Sequence, residues 1–154
     1  MCAPPVCVLG ATSVAMTNIV LVTNVRHFLG LASARAIRAR GASVVCHDTS
    51  FDNPVKREAF TAETGFADLT EGEIGAALAR NVVRQYGLVD ACVSNDIHPA
   101  ERAIVGKDAT KDHMSRALEA LCAKPFELAC ELAVGMRARR SGKIVFVTSA
   151  APLR

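Results

Sequence analysis

Five short runs rich in β-branched and other apolar residues recur along the chain, each followed by a segment of helical pattern, and this alternation constrains the fold more than any other feature. The first strand is expected at Ile19 to Thr23, followed by a helix from Leu29 to Arg40 that Gly41 terminates in a left-handed conformation. "SVVCHD", Ser43 to Asp48, reads as the second strand, a polar helix follows over Asn53 to Thr64, and "GFADLT" is a weaker third strand ending at Thr70. Ile74, Leu78, Val82 and Tyr86, spaced by four, draw one apolar stripe on a helix closed by Gly87. "VDACVSN", Val89 to Asn95, is the fourth strand. A loop through Pro99 and Gly106 leads to a helix carrying Met114, Leu118, Leu121 and Cys122 on one face. Pro125 begins or kinks the next helix, Phe126 to Arg139, which is apolar around so much of its circumference that a second helix or another subunit is expected to cover part of it. "GKIVFVTS", Gly142 to Ser149, is a nearly unbroken apolar run, as expected for a parallel strand buried on both faces. The fold class this predicts is α/β: a Rossmann-like, doubly wound parallel sheet with right-handed crossovers and helices on both faces, incomplete at its C-terminus. Residues 1–15 read as an N-terminal extension outside the core, and residues 16–154 as a partial Rossmann-like domain. Without a following strand, the fifth would be an apolar sheet edge prone to aggregation.

A length of 154 residues suits one domain. A net charge of +3, with no long run of like charge, argues against a polyanion partner, and Arg35, Arg38 and Arg40 read as a solvated helix face rather than a nucleic-acid contact. No apolar run approaches the roughly twenty residues that span a bilayer, and the start of the chain lacks a basic n-region, so a cytoplasmic protein is expected. The six cysteines form no CxxC pair; Cys46, Cys92, Cys122 and Cys130 lie in predicted elements and read as small buried hydrophobes in a reducing compartment. Cys46, His47 and Asp48 are contiguous, but strand alternation points His47 away from the other two, and no metal site is expected.

The turn after the first strand, "VTNVRHFLG", Val22 to Gly30, stands where a nucleotide-binding fold places its phosphate loop. Such a loop needs glycines so that backbone amides can approach a pyrophosphate at the helix N-terminus. Gly30 can serve close helix packing, but Asn24 and Phe28 put side chains where the cofactor would lie. Asp48, ending the second strand, stands where an acidic residue holds a ribose hydroxyl in NAD enzymes; it can equally cap the following turn. The loop resembles that of the short-chain dehydrogenase/reductase superfamily, Thr-Gly-x-x-x-Gly-x-Gly, with Thr23 and Gly30 matching and Asn24 and Phe28 replacing the first two glycines. The departure matches Thr-x4-(Phe or Tyr)-x-Gly, the fingerprint of the halohydrin dehalogenases, relatives without the nicotinamide cofactor. Ser94-Asn95-Asp96-Ile97 resembles their version of the dehydrogenase Asn-Asn-Ala-Gly loop, and "RRSGKIVFVTSAAP", Arg139 to Pro152, resembles the segment bearing the family's catalytic serine, here Ser149. The likeness runs from about Thr17 to Arg154 and covers the first half to two-thirds of a family member.

That resemblance implies reversible conversion of vicinal haloalcohols to epoxides with halide release, no cofactor, Phe28 lining a halide or small-anion pocket, and a homo-oligomer, a tetramer in the family. The family's active site reads Ser-x12-Tyr-x3-Arg: the arginine lowers the tyrosine pKa, the phenolate takes the substrate proton, and the serine holds the substrate oxygen. Counted from Ser149, the tyrosine and arginine would fall past Arg154, and Tyr86, the only tyrosine, reads as core, so this stretch alone is expected to be inactive. Two other readings stay open: a divergent NAD(P)-dependent short-chain dehydrogenase, and a non-catalytic assembly fragment.

Overall fold

A computed structural model describes residues 18–96 and 110–148. Five strands, β1 (Ile19–Val22), β2 (Ser43–His47), β3 (Leu69–Thr70), β4 (Ala91–Ser94) and β5 (Lys143–Phe146), form one sheet of order β3-β2-β1-β4-β5. Every pairing is parallel, with Val22 beside Cys46 on β2 and beside Val93 on β4. The helices are α1 (Gly30–Arg38), α2 (Pro54–Thr64), α3 (Ala76–Tyr86), α4 (Lys111–Leu118) and α5 (Lys124–Arg139), with a 3-10 turn at Thr49–Asp52 and a π-helical turn at Glu119–Ala123 joining α4 to α5. This is the doubly wound Rossmann-like sheet expected from the alternation of elements.

Strand alternation sorts side chains to two cores. Val20, Val22, Val44 and Cys46 pack with Ala34 of α1 and with Phe51, Phe60 and Phe66; Leu21, Val45 and Cys92 face Leu78 and Val82 of α3 and Leu128, Leu132 and Met136 of α5. Burying both faces is why β1 and β2 can be apolar throughout. The predicted stripe on α3 is the buried one, and Tyr86 packs at its end, with its hydroxyl donating to the Leu69 carbonyl at 3.3 Å. The helix ends follow ordinary capping: Asn53 accepts from the amides of Val55 and Lys56, and Gly65 closes α2 at φ 70°.

Three expectations are corrected. β5 is not buried on both faces: it is the sheet's edge among the described residues, and Val145 and Phe146 are half exposed. Cys46 and Cys92 are buried, and burial pushes both thiols up to about 12, but Cys122 and Cys130 are exposed. Cys122 shares its exposure with Met114 and Leu118 of the same predicted face, which is uncovered among the described residues. The third strand is only its last two residues. Residues 1–15, Pro99, Gly106, Ile97 and Ser149 lie outside the described residues.

Candidate functional site

β1 and β4 are neighbours, yet the chain leaves β1 toward β2 on the other side, so the crevice beyond their carboxyl ends is the sheet's switch point, where open α/β sheets bind ligands. Four of the singled-out residues meet there in one hydrogen-bonded web. The fully buried Thr23 hydroxyl accepts from the Asn95 amide at 2.8 Å and donates to Asp96 Oδ1 at 2.6 Å. Asn24 Nδ2 donates to the same oxygen at 3.2 Å, while the Ser94 hydroxyl donates to Asp96 Oδ2. Asn95 Nδ2 returns across the crevice to the carbonyls of Asn24 (3.1 Å) and His27 (2.9 Å). The loops after β1 and β4 are thereby tied into one unit, and Asn95 Oδ1 is buried with no partner among the described residues.

The backbone of the loop keeps the path of a glycine-rich turn after losing two of its glycines. Asn24 (φ 44°) and Phe28 (φ 41°) both occupy the left-handed region. Asn tolerates that region; an aromatic residue enters it at a cost of roughly 1–2 kcal/mol. Gly30 is needed for space instead. A Cβ there would lie 2.6 Å from Val25 Cα and 2.7 Å and 2.8 Å from the carbonyl oxygens of Asn24 and Val25, so its close packing is against the loop itself.

The end of β2 closes the other side. Asp48 is 1% exposed; its Oδ1 accepts from the Ser50 amide (3.0 Å) and hydroxyl (2.6 Å), capping the 3-10 turn, and its Oδ2 accepts from the Arg26 amide at 3.4 Å. Of the two roles open to Asp48, capping is the one its contacts display. His47, fully buried, has its pKa lowered by burial, opposed by the Gly72 carbonyl and by Asp48 and Asp96. Nothing in the sequence pattern marked His47 or Arg26 for this work; the contiguity of Cys46, His47 and Asp48 was the one visible signal. Among the described residues no cluster of His, Cys, Asp and Glu could hold a metal ion.

A cavity of about 480 Å³ opens in front of this wall, lined by Asn24, His27, Thr49 and Asp96 from the strand ends and by Arg116 and Lys124 from the helices opposite. Those two cations were not foreseen, and Lys124 is paired at 3.5 Å with both Glu119 and Glu127, which raise its pKa. Phe28 is 63% exposed and does not line this cavity.

A family model described as short chain dehydrogenase matches residues 18–154. The chain belongs to the short-chain dehydrogenase family. Among solved structures it is similar to a protein described as a dehalogenation enzyme, at 39% identity over 90% of this chain and 56% of that one, with a TM-score of 0.77. It is also similar to a halohydrin dehalogenase (HheC) bound to ethyl (2S)-oxiran-2-ylacetate, at 35% identity over 89% of this chain and 56% of that one, with a TM-score of 0.80. A short-chain dehydrogenase from Streptomyces avermitilis shares the fold at 21% identity, over 88% of this chain and 50% of that one, with a TM-score of 0.69. The chain thus spans 56% of the length of the first two proteins. No curated protein sequence matches it. Short-chain dehydrogenases as a family imply a nicotinamide dinucleotide, whose pyrophosphate would meet the side chains of Asn24 and Phe28 in place of two glycines of the loop. The amides of Asn24, Val25, Arg26 and His27 all have partners within the protein, and both oxygens of Asp48 are engaged.

Proposed function

We propose that the chain carries the sheet and fingerprint loop of a halohydrin dehalogenase, which converts vicinal haloalcohols reversibly to epoxides and opens epoxides with small anions, without a cofactor. One observation carries the reading: the phosphate-loop path persists with Asn24 and Phe28 in the two glycine positions and the amides of residues 24 to 27 spent on the protein itself. The epoxide ester bound by one similar protein supports the substrate class. In this reading Thr23, Asn24, Gly30, Asn95 and Asp96 hold the wall of the crevice, Phe28 occupies the loop position that the resemblance assigns to the anion side, and Ser149 hydrogen-bonds the substrate oxygen. A phenolate of the Tyr-x3-Arg motif would take the hydroxyl proton; the oxygen then forms its bond to the neighbouring carbon as the carbon–halogen bond breaks and halide leaves. The exposed apolar side chains of α5, Phe126 and Val134, support assembly as a homo-oligomer. The free thiols support a cytoplasmic location. Among the described residues no helix is long and apolar enough to cross a membrane.

Isothermal titration with NADH and NADPH tests the reading, together with a bromide titration followed at the Asn24 and Phe28 amides by NMR. No nucleotide binding and saturable bromide shifts are expected. Tight binding of either nucleotide would return the chain to hydride transfer.

A further inference from the structure

We infer that His47 and Asp48 are positioning residues that fix the first half of the fingerprint loop by taking up the backbone amides of Asn24, Val25 and Arg26. The register makes this possible: Val22 pairs with Cys46, so the next two residues of β2 run beside the turn after β1. The His47 carbonyl accepts from the Val25 amide at 2.9 Å, continuing the strand ladder. The His47 ring then captures the preceding amide, Asn24 N–H donating to Nδ1 at 3.4 Å, and Asp48 Oδ2 captures the following one, Arg26 N–H, at 3.4 Å. Two consecutive residues thus take three consecutive amides of the segment that joins β1 to α1.

Both side chains are held from behind. His47 Nε2 lies 2.9 Å from the Gly72 carbonyl oxygen, which can only accept; Nε2 therefore carries the ring proton and Nδ1 is left bare to accept from Asn24. Asp48 is anchored through Oδ1 by Ser50, whose hydroxyl also accepts from Arg26 Nη1 at 2.9 Å. His47 and Asp48 are 0% and 1% exposed, so water does not compete for these acceptors. With amides 24 to 26 pinned, the left-handed turn at Asn24 is set by protein contacts; that this loop holds no nucleotide rests on the function proposed above.

Amide hydrogen exchange on the full chain tests this, each rate taken relative to the core amide of Val45 so that general loss of stability cancels. His47→Leu is expected to speed exchange at Asn24 by about tenfold, the loss of roughly one hydrogen bond, and His47→Asn, whose Oδ1 stands where Nδ1 stood, to restore it. Asp48→Ala is expected to speed Arg26 similarly and leave Asn24 within about twofold. Unchanged relative rates, or no restoration by His47→Asn, overturn the inference. Should His47→Leu fail to fold, the wild-type ring decides alone: an Nε2–H tautomer by two-bond nitrogen–proton NMR is expected, and an Nδ1–H tautomer overturns it. NADH bound by wild type with these amides still protected would remove the dehalogenase reading and leave the pinned loop standing; no NADH binding with unprotected amides would do the reverse.

Discussion

Replacing Gly30 with alanine tests whether this glycine serves space rather than conformation. The new Cβ would meet Val25 Cα at 2.6 Å and two loop carbonyl oxygens at 2.7 and 2.8 Å, all backbone atoms with no rotamer to yield. Ordinary carbon contacts lie near ~3.5–4.0 Å, so α1 or the loop must move by close to an ångström. Overpacking of this kind costs about 1–3 kcal/mol, against a gain of up to about 1 kcal/mol from alanine's better helix propensity. A net loss of about 1–2 kcal/mol follows. Gly135 in α5 is the control: its nearest neighbour to an added Cβ is Leu88 Cδ2 at 4.0 Å, so the same substitution there should stabilise by about 0.5–1 kcal/mol. Urea unfolding followed by circular dichroism should separate the two midpoints by about 1 M, since slopes for small domains are about 1–3 kcal/mol per molar. A Gly30→Ala midpoint at or above wild type would refute the close-approach argument.

Phe28→Gly should raise stability by up to about 1 kcal/mol, read as a higher Tm, because it releases left-handed strain at φ 41° while an exposed ring gives up little burial; a clear loss would show that the ring is packed. His47 gives stability a pH dependence of fixed sign. Its folded pKa lies below the ordinary 6.5, so the unfolded chain takes up the proton first; stability is full above about 6.5 and falls on acidification until the folded pKa is reached, by up to about 1.4 kcal/mol per pH unit. His47→Asn should flatten the slope of urea midpoint against pH between 6.5 and 5, and an unchanged slope would exclude His47 as its source.

What could be read along the chain and what could not divide by whether the cause is local. Val20, Leu21 and Val22 announce a strand buried on both faces because each face has its own core, and Gly41 and Gly87 close helices with positive φ as their positions suggest. β5 carries the same apolar signature, but whether a neighbour covers its outer edge is not encoded in its own residues. Likewise Met114, Leu118 and Cys122 form an apolar face legible from its spacing, but whether anything covers that face is not encoded in those residues. At the site, Thr23, Asn24, Asn95 and Asp96 share one hydrogen-bonded web, and Gly30 packs against the same loop. Alternation points His47 and Asp48 to opposite sides, and both are buried because both faces of β2 are covered; that each takes an amide of the loop after β1 depends on β1 lying beside β2, which neither strand's own pattern states.

The three loop positions separate two reasons for glycine that usually coincide. At 24 and 28 the requirement is conformational: φ is positive, and Asn and Phe satisfy it at a modest energetic cost. At 30 the requirement is steric: the residue begins a helix, and a side chain would strike the loop backbone. A bound pyrophosphate adds a second constraint at 24 and 28, because the ligand must approach the backbone closely. In a loop that holds no nucleotide, as proposed here, that second constraint is gone and only the conformational cost remains. Positions 24 and 28 are then open to side chains, and Asn24 lines the cavity, while position 30, whose neighbour is the protein itself, is not open.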